Sequence, residues 1–281
     1  MPHISKIVVA SDLTKASTLA LQRALRLKQQ LGAQLTLLHV IDGVAEAAEA
    51  EPRRRKANEL LEAQVKSTCE DDTRRLWLKV LEGERDTTLI AEAEKADLIV
   101  LGDGRKPGWR ERLVGTTTDR IVRASECPVL LVRGPAESPY RRLFCPFDGS
   151  PAACRALGIA LSVAGEAQCL VMHADETRTL VEWATRQTGD ALIRRHIDLV
   201  MAELRATLQR LARPAPESQV RVLEGKAQVL IPEQMRDFGP DLVALGTHAR
   251  SRVVTAVLGS LARDLVAASD CDVLLAAPAR P

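Results

Sequence analysis

One stretch of this chain occurs twice, and that repetition constrains the fold more than any other feature. Asp97-Leu98-Ile99-Val100-Leu101-Gly102 leads through a polar, basic segment to Gly115-Thr116. Asp241-Leu242-Val243-Ala244-Leu245-Gly246 leads through another to Gly259-Ser260. The two glycines of each stretch stand 13 positions apart, and a Cys-led apolar run follows each time, Cys127–Val132 and Cys271–Leu275. A tandem duplication is the simplest source of such a pattern. A length of 281 residues is enough for each copy to bury its own core. The expected division is a first domain over 1–134, a polar linker over 135–140 and a second domain over 141–281.

Each copy alternates short apolar runs with helical periodicity. In the first, Lys6–Ala10, Leu35–Val40, Leu76–Leu81, Asp97–Leu101 and Cys127–Arg133 read as strands. Between them, Ala16–Leu31 (with Gly32 as its C-cap), a charged stretch over Ala45–Arg75, Thr87–Lys95 and Thr117–Ser125 read as helices, with Glu51-Pro52 marking a break or restart. The second copy repeats the order from Leu143–Phe147, through Ala152–Ala164, Cys169–Met172, a long helical stretch over Thr177–Leu211 and Val220–Leu223, to Leu242–Leu245. Strands alternating with helices imply an α/β fold: two tandem doubly wound, parallel five-stranded sheets. Ligands of such sheets sit beyond the carboxyl ends of the strands, near the switch in strand order.

Composition excludes several function classes. A net charge of +2 gives no bias toward nucleic acid or membrane, and aromatics at 2% provide no stacking platform for single strands. The longest apolar runs are strand-length, with no spanning segment or signal peptide, which places the chain in the cytoplasm. The six cysteines contain no Cys-x-x-Cys and read as small hydrophobes.

The repeated stretch is suited to phosphate. A glycine ending a strand lets backbone N–H groups approach an anion, and a Gly-Ser or Gly-Thr opening a helix offers unpaired donors at the positive end of its dipole. No Gly-Lys-Ser/Thr occurs, so a Walker loop is excluded. Gly102-Asp103-Gly104 follows the fourth strand and lacks the third glycine at dinucleotide spacing, so that fingerprint is rejected too.

With these residues the chain resembles the universal stress protein family in its tandem form, over nearly the whole length and twice. That family's nucleotide motif is Gly, two residues, Gly, nine residues, Gly, then Ser or Thr, after the fourth strand. The resemblance implies a Rossmann-like fold of the adenine-nucleotide alpha hydrolase type, and a regulatory protein of the stress response that binds ATP, with Mg²⁺ accompanying the nucleotide. It also implies site residues. In the second half, Gly246, Ala249 (where the second glycine belongs), Gly259 and Ser260 would cradle phosphates, with Arg250 and Arg252 adding charge beside them, while His248 in the same loop either contacts a phosphate or points to solvent. Asp148 would hold the ribose or adenine side, and the Ala174 backbone would border the base. In the first half, Asp12, Val40, Gly102, Gly115 and Thr116 match, but Arg105 replaces the second glycine and Asp103 stands where the second half has Thr247. A long side chain blocks such a loop and an unpaired carboxylate repels phosphate, so the second half is the favoured site. Val129–Val132 and Val273–Ala276 are expected to pair within the chain as a pseudo-dimer, with further homodimerisation open.

Blander readings stand beside these. Gly102 and Gly246 simply end strands, Asp12 and Asp148 cap the following helices, and Thr116 with Asp119 forms a capping box. His39 and His173 recur at equivalent turns and suggest packing or a backbone hydrogen bond rather than a metal. Arg53-Arg54-Arg55 reads as a solvated helix face. No Ser-His-Asp, Cys-His or paired-carboxylate arrangement is nominated, so at most slow ATP hydrolysis is expected. The alternative is a nucleotide-independent scaffold or a binder of another small ligand.

Overall fold

The computed structural model describes residues 3–43, 47–68, 76–104, 116–176, 190–210, 218–247 and 259–279. Among the described residues ten strands form one sheet: β1 (Lys6–Ala10), β2 (Gln34–Asp42), β3 (Leu76–Gly83), β4 (Leu98–Gly102), β5 (Val129–Val132), β6 (Arg142–Pro146), β7 (Gln168–Asp175), β8 (Ser218–Glu224), β9 (Leu242–Gly246) and β10 (Asp272–Ala276). Their spatial order is β3-β2-β1-β4-β5-β10-β9-β6-β7-β8. Within each half the pairing is parallel, and the runs Leu98–Leu101 and Leu242–Leu245 are buried along their whole length, as a sheet covered on both faces requires. The helices among the described residues are α1 (Lys15–Leu31), α2 (Ala47–Thr68), α3 (Arg85–Ala93), α4 (Thr117–Ala124), α5 (Pro151–Ala164), α6 (Asp190–Arg210), α7 (Ala227–Phe238) and α8 (Ser260–Ala268).

Residues of β5 and β10 pair antiparallel, Leu131 with Val273 and Leu130 with Leu274, so the two five-stranded units fuse at their last strands. That satisfies backbone groups which would otherwise be two open edges. It also reverses one half against the other, so the carboxyl ends of their strands point to opposite edges of the sheet. Two apolar layers result, and each draws side chains from both halves.

A polar clasp closes the junction. Asp272, at the start of β10, is 3% exposed. Its Oδ2 accepts from Arg23 Nε of α1 at 3.1 Å and from the Tyr140 hydroxyl at 2.6 Å, and its Oδ1 accepts from the Arg133 backbone N–H at 2.9 Å. The Arg23 guanidinium lies 4.0 Å from the centre of the Tyr140 ring and also donates to Ser138 O at 3.0 Å. Arg26 donates to Ala136 O and Glu137 O. Burial, with Asp272 alongside, pushes the Tyr140 phenol well above its ordinary range. The segment read as a linker is therefore gripped by α1.

Several local expectations are corrected. Pro52 lies inside α2 and does not break it: close to the helix start it removes one intrahelical bond, and the remaining turns carry the helix on. The helix α7 was not singled out from the sequence, since its internal Pro232 and mixed polarity blur the periodicity. Asp12 and Asp148 are not the helix caps. Those are Thr14, which accepts from Ser17 N–H, and Ser150, which accepts from Ala153 N–H.

Candidate functional site

At the switch between β1 and β4 a cavity of about 410 Å³ opens, and at the switch between β6 and β9 one of about 400 Å³. Both are of small-ligand size. Asp12, Val40, Gly102 and Thr116 line the first; Asp148, Ala174, Gly246, Gly259 and Ser260 line the second. Nine of the residues nominated from the sequence thus fall into two equivalent depressions. Gly115, His248, Ala249 and Arg250, together with Arg105 and Arg252, lie outside the described residues.

Each depression is built from the same tight turn. Asp12 Oδ1 accepts from the Thr14 N–H at 3.1 Å and hydroxyl at 2.6 Å, and Asp148 Oδ1 accepts from the Ser150 N–H at 3.0 Å. Burial raises the Asp12 pKa, but hydrogen bonds from Thr14 and Ser17 outweigh it and hold the carboxyl below its usual value. The residue between carboxylate and cap must take a left-handed conformation. In the second half it is Gly149, φ 75°; in the first it is Leu13, φ 63°. A non-glycine residue there stores strain beside the first cavity.

Behind each turn the histidine expectation holds. His39 Nδ1 lies 2.8 Å from Ser11 O and His173 Nδ1 lies 2.9 Å from Phe147 O. A carbonyl only accepts, so Nδ1 carries the proton in both, and each imidazole pins the strand end to the turn.

The strand-ending glycines have a packing role as well. A Cβ on Gly102 would lie 2.3 Å from Ala16 O, and one on Gly246 would lie 2.6 Å from Ala153 N and 2.7 Å from Ala152 C. The first turn of α1 or α5 rests directly on the strand end, and only hydrogen fits between. This role is independent of any ligand.

The two cavities differ in lining and in the helix that faces them. The first has Ser11, Ser17, Arg85, Thr117 and Thr118; the second has Phe147, Ala153, Ala227, Leu261 and Ala262 at the equivalent places. Ser11, Ser17 and Thr18 are tied to Gln64 of α2 by hydrogen bonds of 2.7 to 3.4 Å. Arg85, at the start of α3, was not nominated from the sequence; Gly83 two residues before it, ending β3, was the available signal. Thr116 Oγ1 accepts the Asp119 N–H at 3.2 Å, so one donor at the start of α4 is already engaged, as the Thr-x-x-Asp spacing implied. At the start of α8 the cap position is Gly259, which has no side-chain acceptor. Among the described residues, the second cavity therefore faces the less occupied helix N-terminus.

Asp103 also differs from expectation. Its Oδ2 accepts from Arg133 Nε at 2.7 Å, and both side chains are nearly dry, at 10% and 6% exposure. The carboxylate that was expected to repel phosphate in the first half is neutralised by Arg133, one residue past β5.

The sequence profile of the universal stress protein family matches residues 3–133 and again 139–277. The chain belongs to the universal stress protein family. A universal stress protein of Methanocaldococcus jannaschii is 29% identical over 140 residues, covering 46% of this chain and 82% of that one. One from Mycobacterium bovis is 24% identical over 195 residues, covering 67% of this chain and 64% of that one, so the match spans less than two thirds of that relative's length. In three dimensions the chain is similar to a universal stress protein from Archaeoglobus fulgidus, with a TM-score of 0.71, 18% identity and 98% coverage of both chains. This likeness establishes the tandem fold. No helix among the described residues is long and apolar enough to cross a membrane.

Proposed function

We propose that this universal stress protein binds an adenine nucleotide, ATP foremost, in the second-half cavity. The observation that carries the reading is the N-terminus of α8: Gly259 provides no capping side chain, and Gly259, Ser260, Leu261 and Ala262 line the same depression as Asp148 and Ala174. Backbone donors at a helix start suit phosphate oxygens, and the dipole adds to them. Asp148, held by the Ser150 N–H, accepts from a ribose hydroxyl. Phe147, Met172 and Ile231 give the apolar wall a flat base needs. Any Mg²⁺ would come with the nucleotide and would offset part of its phosphate charge.

The first cavity is the secondary site. Its helix start is partly occupied by Thr116, and Arg85 supplies a cation at its rim. The apolar lining of the second cavity also suits a different small ligand, and that is the competing reading. Titration calorimetry with ATP, with and without Mg²⁺, decides between them on the wild type and on Gly259→Glu, which sets a carboxylate against the phosphates. Binding that disappears in Gly259→Glu, with the melting temperature of the empty protein unchanged, supports the proposal. A folded wild type that binds no ATP overturns it in favour of the competing ligand.

A further inference from the structure

Arg133, one residue past β5, belongs structurally to both halves. Its Nε donates to Asp103 Oδ2 at 2.7 Å, and Asp103 lines the first cavity. The same guanidinium turns its other nitrogens to the far half: NH1 donates to Ser269 O at 2.6 Å and approaches Cys271 O at 3.5 Å, while NH2 donates to Val266 O at 2.6 Å. Val266 and Ser269 are the last-turn and C-cap residues of α8, whose first residues line the second cavity. Its backbone is fixed as well, through the 2.9 Å bond to Asp272.

We propose that Arg133 couples the two cavities, so that the state of Asp103 in the first sets how α8 presents its N-terminus to the second. This rests on the nucleotide reading of the second cavity. The guanidinium is nearly dry, so water is a poor substitute for any acceptor it gives up. Its planar fork can serve a carboxylate and helix carbonyls at once, which a lysine ammonium on a flexible stem cannot reproduce. A positive group at the C-terminal carbonyls fixes the negative end of α8. An anion entering the first cavity competes with Asp103 for that positive group. Asp103 seated on Nε orients the fork toward the α8 carbonyls, so displacing that carboxylate, by an anion or by substitution, loosens the grip on α8 and weakens binding at the second cavity.

The device is built once. The place of Asp103 is taken by Thr247 in the second half and that of Arg133 by Ala277, whose carbonyl instead accepts from Arg155 NH1 at 2.9 Å. Among the described residues, divergence of the repeat has therefore left this link on one side only, between sites at opposite edges of the sheet, and the coupling it transmits is reciprocal in binding free energy.

Two readouts test this on the full chain with Asp103→Asn, which keeps the shape and removes the charge, and Arg133→Lys, which keeps the charge and removes the fork. The first is hydrogen exchange of the ligand-free proteins. Amides of α8 are expected to exchange about fivefold faster or more in both variants, with those of β9 unchanged. The second is ATP affinity at the second cavity, located by its loss in Gly259→Glu, which is expected to fall about fivefold in Asp103→Asn although the change lies in the other half. Exchange of α8 within twofold of wild type in Asp103→Asn overturns the coupling, and so does an unchanged ATP affinity. A wild type that binds no ATP sinks the nucleotide reading instead, and the α8 exchange rates then decide by themselves whether Asp103 reaches the far helix.

Discussion

Removing the Asp272 carboxylate should loosen the junction between the halves more than any other single change at that seam. Three donors converge on it: Arg23 Nε, the Tyr140 hydroxyl and the Arg133 backbone N–H. Asp272 and Arg23 are 3% and 6% exposed, so neither partner finds water when the other goes. Breaking one side of a buried ion pair costs about 3–5 kcal/mol, because the remaining charge stays dry and unpaired. The costs at Tyr140 and Arg133 overlap with this and are not added to it. Against a typical total of about 5–15 kcal/mol, Asp272→Ala leaves a marginal fold. Equilibrium urea unfolding measures the loss through the midpoint, with the slope showing whether the transition stays cooperative. The repeat supplies a comparison: Ile159 and Pro128 stand at the equivalents of Arg23 and Asp272, so this ion pair has no counterpart in the other half, where the two residues line an open cavity. Arg23→Ile combined with Asp272→Ala should recover much of the single-variant loss, since no charge is left stranded. A loss under about 1 kcal/mol for Asp272→Ala, or simple additivity in the double variant, would refute the clasp as described.

Further outcomes follow from the same geometry. Gly102→Ala and Gly246→Ala should each destabilise the ligand-free protein by about 1–3 kcal/mol or more in thermal or urea unfolding, because the new methyl meets backbone of α1 or α5, whereas Gly104→Ala, with open space at its Cβ, should be close to neutral. Leu13→Gly should stabilise by about 1 kcal/mol by relieving the left-handed leucine, and a destabilised variant would show that Leu13 packing outweighs its strain. Asp12 and Asp97 both have lowered carboxyl pKa values, where burial is outweighed by hydrogen bonds from Thr14 and Ser17 in one case and from Ser5 and Lys6 in the other. Their contribution is full above the ordinary value of 3.8 and is lost as pH falls below it through the folded-state value, so Asp97→Asn should flatten the acid limb of a stability-against-pH curve. Burial pushes the Cys127 and Cys271 thiols up to about 12, so both should resist a thiol reagent at neutral pH until the chain unfolds.

The duplication, the alternation of strands and helices and the position of both cavities were legible in the chain because they rest on short-range signals. Apolar runs that stop at Gly102 and Gly246, Asp12 and Asp148 just ahead of a helix, and the Gly-Ser and Gly-Thr helix starts each occupy a few consecutive residues, and the parallel topology then brings them together at the strand ends. The purpose of individual residues in those signals was not legible. Gly102 and Gly246 were read as phosphate contacts or strand stops, yet what demands glycine is the backbone of a helix that begins some 90 residues earlier in sequence. Asp103 was read as a liability because its partner Arg133 is 30 positions away, and Arg133 in turn reaches Val266 and Ser269 across 133 and 136. Periodicity and spacing report which face a residue takes within its own element. Which charge meets which carboxylate across the junction is decided only when β5 and β10 pair and bring the two halves' polar groups into one dry seam, where each must find an acceptor or forfeit its solvation.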